Sequence, residues 1–477
     1  MKVRTRFAPS PTGFMHIGNL RTALYAYLYA KHFDGDFILR IEDTDQQRYV
    51  EGAVDVIYST LKKAGIEHDE GPDKDKGYGP YIQSERKPLY GKYAELLVEK
   101  GGAYYCFCDK ERLESLKDEN GVARYDKKCL HLSKEEVAER LKRGDPYVIR
   151  QNIPLDGVSE YEDMVYGKIT VPNADMEDGV LLKSDGMPTY NFANVVDDHL
   201  MAISHVIRGT EYLSSTPKYN LMYDAFGWER PKYMHLPPIM KDAQRKLSKR
   251  YGDANFEDFI EKGYLPQAIV NYIALLGWSP KGNEEKMTVE DLIKEFDVDG
   301  ISKSGSIFDE QKMRWLNAQY IRELTAEEFL SLATPYFNKG VIAGKYDYVL
   351  FASLLQPRVE ILSEIPDMVA FIEDFGPYDV NLYEHKKLKV DLDVAKAAVE
   401  ATIEALQDLD DFSVEGIQNA LVQKAEEKGM KKGQVLYSAR LAVTGKASTP
   451  GGAAEMACLV GKEETLRRLR FSLELLA

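Results

Sequence analysis

Two short motifs carry the residue types that chemistry at a nucleotide phosphate requires. The first is His16-Ile17-Gly18-Asn19, which follows the loop formed by residues 9–13, PSPTG. A glycine-containing loop that leads from a strand into a helix offers backbone N–H donors and a positive helix end to a polyphosphate. His16 can hydrogen-bond phosphate oxygens as charge develops, and Gly18 permits close approach of adenine and ribose to the backbone. Alone, such a turn is more often purely structural.

The second motif is the basic stretch 241–250, KDAQRKLSKR, which holds five positive charges and one negative charge. Most runs of this kind are solvated surface. Lysines on a mobile loop can also neutralise the charge that builds up on leaving pyrophosphate, which gives Lys246 and Lys249 a catalytic interpretation. Ser248 lies between Leu247 and Lys249 and allows a tight turn there.

A third cluster has the composition of a metal site. Cys106 and Cys108 form a Cys-x-Cys pair, and Cys129 and His131 form a Cys-x-His pair twenty residues later. Zinc prefers four such ligands in a tetrahedron, and three cysteines with one histidine are a recognised structural set. The intervening segment is polar and has no evident apolar core, so a metal would supply its cross-link. The alternative is reduced cysteines and a surface histidine.

The elements that must position these groups alternate between strand and helix near the amino terminus. Residues 3–8 are predicted as a strand, and residues 37–41 as a second strand that ends at Glu42. Between them, Leu20, Leu24, Tyr27 and Leu28 fall on one face of a predicted helix. This order indicates a parallel sheet with its site at the strand ends.

The composition limits the class of protein. The chain has 477 residues, of which 44% are hydrophobic and 29% charged, as in folded multidomain proteins. The net charge of −15 argues against a nonspecific nucleic-acid coat protein but allows one basic groove. Four cysteines rule out a disulfide framework. With neither a signal peptide nor an apolar run of membrane-spanning length, the expected location is the cytoplasm and no membrane association is expected.

Taken together, the two phosphate motifs resemble the signatures of class I aminoacyl-tRNA synthetases, His-Ile-Gly-His and Lys-Met-Ser-Lys-Ser. They occur in the expected order, at the start and the end of the predicted α/β region. The sequence departs from those signatures at Asn19, Leu247 and Arg250. It lacks the Gly-x-x-x-x-Gly-Lys-Ser/Thr loop of the P-loop NTPases.

A longer block indicates the branch of that class. Residues 181–199, LLKSDGMPTYNFANVVDDH, and 205–211, HVIRGTE, closely resemble the glutamyl and glutaminyl enzymes. Residues 41–45 and 79–86 match the same group. The chain is identified as similar to bacterial-type glutamyl-tRNA synthetases over essentially its whole length, most specifically over residues 1–325.

The resemblance assigns site residues. Glutamate carries two carboxylates and one ammonium, so a selective pocket needs two cations and one anion, which Arg6, Arg208 and Glu42 can provide. The resemblance implies that the glutamate site contains Arg6, Ala8, Ser10, Glu42, Tyr190, Asn194 and Arg208. It implies that the ATP site contains His16, Gly18, Asn19, Glu211, Lys246, Ser248 and Lys249. Some family members carry the Cys106, Cys108, Cys129 and His131 zinc set.

The expected fold is multidomain α/β plus α. A Rossmann-like catalytic domain is split by an inserted acceptor-end-binding domain, and helical stem-contact and anticodon-binding domains follow. The predicted boundaries are 1–104 and 190–254 for the two catalytic halves, 105–189 for the insertion with the zinc site, 255–325 for the stem-contact domain and 326–477 for the anticodon-binding domains. Apolar stripes such as Leu392, Val399, Ile403 and Leu406, or Leu466, Leu469, Leu473 and Leu476, are interpreted as helix core.

The resemblance implies an ATP-dependent glutamate–tRNA ligase. Glutamate attacks the α-phosphate of ATP to give glutamyl-adenylate and pyrophosphate, and the 3′ end of tRNA-Glu then takes the glutamyl group. Mg²⁺ should accompany ATP. In this family activation typically requires bound tRNA, and a monomer is the usual state.

The sequence is compatible with several alternatives. A non-discriminating enzyme would also charge tRNA-Gln. Arg358 resembles the site at which an arginine helps to read the last anticodon base, although a surface arginine is an equal interpretation. A glutaminyl-tRNA synthetase would carry β-barrel anticodon domains, a shortened paralogue would lack anticodon domains, and a non-catalytic tRNA-binding descendant would not need His16, Lys246 and Lys249.

The basic motif gives a first prediction. Lys249→Ala should lower the adenylation rate by about 10²- to 10³-fold, as loss of one charge-stabilising donor typically does. Glutamate binding should change far less, because the pyrophosphate charge grows mainly in the transition state. Single-turnover adenylation and glutamate titration measure the two effects, and unchanged turnover would remove Lys249 from the site.

Overall fold

The computed structural model describes residues 2–45, 49–117, 124–247 and 255–477. The chain divides into two compact units. The first comprises Met1–Phe259 and Ile269–Asp309, and the second comprises Ile260–Ala268 and Glu310–Ala477. In the part of the chain so described, no helix has both the length and the apolarity needed to cross a bilayer.

The strands are short and all precede residue 310. In chain order they are β1 Arg4–Phe7, β2 Asp36–Leu39, β3 Ala103–Cys106, β4 Val148–Gln151, β5 Val158–Asp163, β6 Gly167–Pro172, β7 Val180–Leu182, β8 His205–Gly209, β9 Lys232–Leu236, β10 Ile239–Met240 and β11 Ser306–Ile307.

The helices before residue 310 are α1 Ile17–His32, α2 Ala53–Lys63, α3 Lys87–Glu99, α4 Lys110–Glu114, α5 Lys134–Arg143, α6 Tyr190–Leu200, α7 Thr216–Phe226, α8 Phe256–Glu261, α9 Pro266–Leu275 and α10 Val289–Glu295. Those after it are α11 Glu310–Glu323, α12 Ala326–Gly340, α13 Tyr348–Leu355, α14 Ile365–Val369, α15 Leu392–Leu406, α16 Val414–Glu427, α17 Lys432–Thr444, α18 Ala453–Val460 and α19 Lys462–Leu475. Short 3-10 turns occupy Gln83–Arg86, Lys128–His131, Asn173–Asp175, Thr210–Tyr212, Leu362–Glu364, Ala370–Ile372 and Val380–Tyr383.

The strand–helix–strand order predicted for the amino terminus is confirmed. Strands β1 and β2 pair in parallel, with Arg4 opposite Asp36 and Phe7 opposite Leu39. Helix α1 connects them and buries the face that the apolar spacing predicted, which includes Leu20, Leu24 and Leu28. Because both strands run the same way, the residues that follow them meet at one edge of the sheet.

A four-stranded sheet in the order β6-β5-β9-β8 provides the other wall of this edge. Strands β8 and β9 are parallel, and Arg208 lies opposite His235. Strand β5 joins β9 in parallel through Asp163 and Tyr233, and it pairs with β6 antiparallel. Residues 158–172, which the sequence placed in the insertion, therefore share a sheet with strands of the second predicted catalytic half. The domain boundaries stay predictions.

The remaining strands of the predicted insertion form a separate antiparallel sheet, β3-β4-β7. Its apolar side chains pack with those of α3, α6 and α7 into one buried cluster, in which Tyr90, Ile149, Phe192 and Tyr219 are almost completely buried. Strand β3 ends at Cys106, so the first predicted zinc ligand lies at a sheet corner.

The second unit has a helical core, as the sequence predicted for residues 326–477. Residues 310–477 are all described, and none of them lies in one of the named strands. The two apolar stripes fall on α15 and α19: Val399, Leu406 and Leu469 are buried, and the other members pack against the same core. Helix α12 begins with a capping box in which Thr325 and Glu328 satisfy each other's backbone N–H groups.

Candidate active site

A cavity of about 1170 Å³ opens at the carboxyl ends of β1, β2, β8 and β9 in the first unit. The cavity is open to solvent rather than enclosed, and residues of both predicted motifs line it. The predicted site residues that line it are Arg6, Ala8, Ser10, His16, Gly18, Asn19, Glu42, Tyr190, Arg208, Glu211 and Lys246. Segments far apart in sequence thus meet where parallel strands end, which is the usual place for a ligand in such sheets.

His16 caps the amino terminus of α1. Its backbone is extended, and its Nδ1 accepts a hydrogen bond of 3.0 Å from the backbone N–H of Gly18. With Nδ1 acting as acceptor, the proton of the neutral ring resides on Nε2. The first turn of α1 contains no acidic residue, so its partial positive charge is not offset locally. This end of the helix is therefore suited to phosphate oxygens.

The opposite wall contains a buried network of two arginines and two carboxylates. Arg6 donates from Nε and Nη2 to the two oxygens of Asp198, at 3.1 and 3.3 Å. Arg40 donates from Nη1 to Asp198 at 2.8 Å and from Nη2 to Glu42 at 2.9 Å. All four side chains are buried, and Arg40 is fully so. Arg40 thereby fixes both Glu42 and the carboxylate that orients Arg6.

The network also shifts the acidities of its carboxyls. Burial raises the pKa of Glu42, although the Arg40 and Arg6 guanidiniums oppose the shift. Burial also acts to raise the pKa of Asp198, but Arg6 and Arg40 outweigh it and hold that pKa below its ordinary value. Arg40 also lies 3.9 Å from Asp197, which pairs with Arg86, so three arginines and three carboxylates balance and the Arg6 charge is already compensated within the protein.

Arg208 is in a different electrostatic position. It is buried, and it donates from Nε to His235 Nε2 at 3.2 Å and from Nη2 to Thr216 Oγ1 at 2.6 Å. Its guanidinium also lies over the rings of Tyr212, Tyr219 and Tyr233. Among the described residues no carboxylate forms an ion pair with it. A buried cation held by neutral partners at a cavity wall favours an anionic ligand.

The second motif reaches the same cavity. Lys246 and Leu247 line it, and the turn before them closes through a backbone hydrogen bond of 2.8 Å from Lys241 N to Arg245 O. Ser248 and Lys249 lie outside the described residues, so their predicted roles stay predictions. Glu211 also lines the cavity, at the end of β8, where a side chain on Gly209 would clash with its carboxylate.

Comparison with known proteins places these features in a family. The family described as tRNA synthetases class I (E and Q), catalytic domain, matches residues 2–315, and an anticodon binding domain matches residues 315–473. A glutamate–tRNA ligase of Clostridium novyi is 56% identical over 99% of this chain and 98% of its own length. One of Clostridium tetani is 56% identical over the same shares.

The chain belongs to the class I tRNA synthetases of the glutamate and glutamine group. Solved structures agree with this membership. The glutamate tRNA ligase from Elizabethkingia meningosepticum, in complex with its amino acid, has a TM-score of 0.89 and 36% identity, with 100% of both chains covered. The enzyme from Elizabethkingia anophelis has the same TM-score and identity and covers 99% of this chain. The resemblance read from the motifs and the fold class are thus confirmed.

Two of the predicted site residues, Asn194 and Arg358, do not line the cavity. Asn194 is buried and donates from Nδ2 to the carbonyl of Tyr190 at 2.7 Å, and it is not among the cavity-lining residues. It therefore supports Tyr190, the first residue of α6, rather than facing the cavity. Arg358 follows α13 in the second unit, is exposed, and donates to the carbonyl of Leu354 at 2.6 Å. Its predicted anticodon contact stays a prediction.

The cysteines come together as the spacing predicted, but the histidine does not join them. The sulfurs of Cys106, Cys108 and Cys129 lie within 4.8 Å of one another, whereas the exposed His131 is outside this group. The hydroxyl of Tyr125 instead lies 3.3 Å from Cys106 Sγ and 3.5 Å from Cys108 Sγ. Hydrogen bonds with Cys129 and Tyr125 lower the pKa of Cys106 to about 4.

Sequence reasoning missed residues that act behind the cavity wall. Arg40 and Asp198 organise the carboxylate network, and Arg21 lines the cavity from α1 while it donates to the carbonyl of Leu276 at 2.9 Å. A signal was present: Arg40 is the single charged residue within the apolar run 37–41. A charge inside a predicted buried strand requires a partner, but the sequence does not say which.

The His16 cap leads to a prediction about Gly18. A Cβ at this position would lie 3.1 Å from His16 Nδ1, so Gly18→Ala should displace the imidazole and lower the rate of ATP-dependent activation about tenfold or more. Gly91 in α3 is a matched control, because a Cβ there has no heavy atom within 4 Å. Gly91→Ala should leave the rate unchanged and raise the free energy of unfolding by about 0.5–1 kcal/mol. Pre-steady-state kinetics and urea unfolding check both. Equal rates for the two variants would contradict the role of Gly18.

Proposed function

We propose that this chain is a glutamate–tRNA ligase, which activates L-glutamate with ATP and transfers it to the 3′ end of tRNA-Glu. The membership of the family and its full-length similarity to glutamate–tRNA ligases support this function. The two-step reaction needs a phosphate site, a cation for the substrate carboxylate and an anion for its ammonium. One cavity contains His16, Arg208 and Glu42.

The observation that carries the proposal is the buried Arg208 with its neutral surroundings. In the proposed complex a glutamate carboxylate is the counter-ion that Arg208 otherwise lacks, and Glu42 receives the ammonium. Arg6 lines the same cavity, with its charge already balanced by Asp198. Glutamine, which carries one carboxylate fewer, would leave buried donors unpaired, and sites of this kind reject such analogues strongly.

ATP would lie between the amino terminus of α1 and the basic motif. His16 and the helix end face the phosphates, and Gly18 and Asn19 line the same side of the cavity. Lys246, with Ser248 and Lys249 beyond it in sequence, would neutralise leaving pyrophosphate. Mg²⁺ would accompany the nucleotide and offset part of its negative charge. The protein contributes position and charge, and no covalent enzyme intermediate is required.

The experiment is ATP–pyrophosphate exchange, measured with glutamate or glutamine and with or without tRNA-Glu. Exchange should require glutamate and should depend on tRNA. Arg208→Ala should raise the glutamate KM about 100-fold or more, since removing one partner of a buried charge pair costs about 3–5 kcal/mol. Arg230→Ala is the matched control, because Arg230 pairs with Asp224 on the exposed surface.

Two outcomes of that experiment would contradict the proposal. Exchange that prefers glutamine would indicate a glutaminyl enzyme, which the helical residues 310–477 do not favour. Absence of exchange with every amino acid and tRNA tested would indicate a non-catalytic tRNA-binding protein. Charging of both tRNA-Glu and tRNA-Gln would keep the activity and identify the non-discriminating form, in which the proposed anticodon role of Arg358 would be relaxed.

A structural zinc ion forms the second part of the proposal. Three cysteine sulfurs within 4.8 Å of one another suit the soft-ligand preference of zinc. The fourth ligand would be either the imidazole of His131, which the spacing suggested, or the hydroxyl of Tyr125, which is oriented towards the sulfurs. With four protein ligands the site would be closed, and the ion would brace the β3 corner rather than take part in the reaction.

Metal analysis of protein purified without chelator tests this site. We expect one zinc ion per chain, and its loss from a Cys106→Ser, Cys108→Ser double variant. Tyr125→Phe and His131→Ala separate the two candidates for the fourth ligand, because only the variant of the true ligand should lose affinity for zinc in competition with a chelator. Absence of zinc from the unaltered protein, or equal zinc in the double variant, would refute the proposal.

A further inference from the structure

Behind Arg208 lies a chain of two further buried polar groups. Its Nε contacts His235 Nε2 at 3.2 Å, and His235 Nδ1 contacts Asp163 Oδ2 at 2.7 Å. His235 and Asp163 are both almost completely buried, with exposed fractions of 0% and 1%. Neither of them lines the cavity. A substrate at Arg208 would therefore meet the guanidinium while His235 and Asp163 stay behind it.

The register of the sheet produces this alignment. Arg208 on β8 lies directly opposite His235 on β9, and Asp163 at the end of β5 pairs with Tyr233, two residues before His235. Three adjacent parallel strands thus present an arginine, a histidine and an aspartate side by side. Because side chains alternate along a strand, a shift by one residue would turn the three groups to different faces.

The hydrogen bonds determine which nitrogen of His235 carries the proton. Asp163 Oδ1 accepts from the backbone N–H groups of Val165 and Tyr166, at 3.0 and 2.9 Å. Its Oδ2 accepts from the backbone N–H of His235 at 3.2 Å as well as from Nδ1. With three backbone N–H groups donating to it, this carboxylate acts as an acceptor, so Nδ1 of His235 carries the proton. Nε2 is then left as an acceptor for Arg208.

The neutral state of the ring fits this assignment. Burial lowers the pKa of His235 and outweighs the hydrogen bond with Asp163, which acts to raise it, while the neighbouring Arg208 charge acts in the same direction as burial. A neutral imidazole with Nδ1 protonated offers one lone pair, and the Nε–H of Arg208 occupies it. An arginine held at Nε keeps its outer nitrogens in a defined plane, and that plane determines how a planar carboxylate can bind.

We propose that Asp163 and His235 are positioning residues, which hold the Arg208 guanidinium in the orientation that receives the substrate carboxylate. This inference rests on the proposed function of Arg208 as a glutamate contact. The affinity for the amino acid then depends on two residues that do not contact it. Asp163 fixes the tautomer of His235, and His235 fixes the plane of Arg208.

Two substitutions at position 235 separate positioning from packing. In His235→Gln the side-chain oxygen can take the place of Nε2 and still accept from Arg208, although the contact with Asp163 is lost. In His235→Asn the amide can still donate to Asp163 but no longer reaches Arg208. His235→Asn removes one methylene more than His235→Gln, which should lower the free energy of unfolding by about 1 kcal/mol. A packing role therefore predicts that thermal stability and all three KM values change together, whereas the positioning role predicts a rise in the glutamate KM alone.

The measurement is steady-state aminoacylation with glutamate, ATP and tRNA-Glu each varied in turn. His235→Asn should raise the glutamate KM about 10- to 100-fold, the range expected for a lost hydrogen bond to a charged group. His235→Gln should raise it about threefold or less. The KM values for ATP and tRNA should be unchanged in both, because a KM effect confined to one substrate reflects lost binding of that substrate.

Asp163→Asn provides a second test of the tautomer step. An amide at this position can donate towards Nδ1, which moves the proton of His235 to Nε2 and sets a donor against Arg208 Nε. The glutamate KM should rise as in His235→Asn. The Asp163→Asn, His235→Asn double variant should have a glutamate KM no higher than that of His235→Asn alone. Additive increases in KM would mean that the two residues act independently, which would contradict the proposed sequence from Asp163 through His235 to Arg208. If Asp163→Asn fails to fold, which thermal unfolding will show, the two variants at position 235 decide.

The Arg208→Ala variant distinguishes failure of this inference from failure of the proposed function. If Arg208→Ala raises the glutamate KM while His235→Asn does not, Arg208 binds glutamate without positioning by His235, and the inference is overturned. Equal KM increases in His235→Asn and His235→Gln would overturn it as well. If Arg208→Ala itself leaves the glutamate KM unchanged, the proposed function of Arg208 is wrong and the inference falls with it.

Discussion

The structure of the catalytic cavity depends on pairing the buried guanidinium of Arg40. This side chain is fully buried between Asp198 and Glu42. Moving a charge out of water costs several kcal/mol, and leaving one partner unpaired costs about 3–5 kcal/mol, so the three groups must come together in the folded chain. Because Arg40 and Glu42 follow β2 and Asp198 belongs to α6, this requirement brings two distant segments to the same wall and fixes Arg6 beside them.

The two arginines that line the cavity, Arg6 and Arg208, differ in how their charges are compensated. Arg6 is matched by Asp198 inside the protein, whereas Arg208 is held by His235, Thr216 and aromatic rings. Folding thus leaves one well-oriented cation to be neutralised by a ligand. On the other side, the amino terminus of α1 and His16 offer donors suited to phosphate. An anionic amino acid and a polyphosphate can therefore be placed next to each other, which is the arrangement that adenylate formation needs.

Local features of the sequence predicted much of the framework. The periods of apolar residues predicted α1, α15 and α19, and the loop before His16 predicted a strand-to-helix turn. These predictions succeeded because the period of burial in a helix, or the backbone demands of a tight turn, act over a few residues. The Cys-x-Cys spacing likewise placed Cys106 and Cys108 together at the end of β3, whereas their contact with Cys129 spans about twenty residues and depends on tertiary structure. The position of His131 relative to the sulfurs depends on tertiary structure near Tyr125, which the Cys-x-His spacing does not specify.

The sequence by itself determined which chemical groups are available, namely the two motifs and the charged side chains proposed to bind an amino acid. It also determined that the carboxyl-terminal third is helical. Only the tertiary structure decided which of those groups are compensated. Asp163, His235 and Arg208 are 27 to 72 positions apart in the sequence, yet sheet register places them in one line. Register is a long-range property that depends on the packing of both sheet faces. The sequence of a single strand does not specify which strands pair with it or in which register. For that reason Arg208 could be recognised from the sequence as a candidate, while the residues that orient it could not.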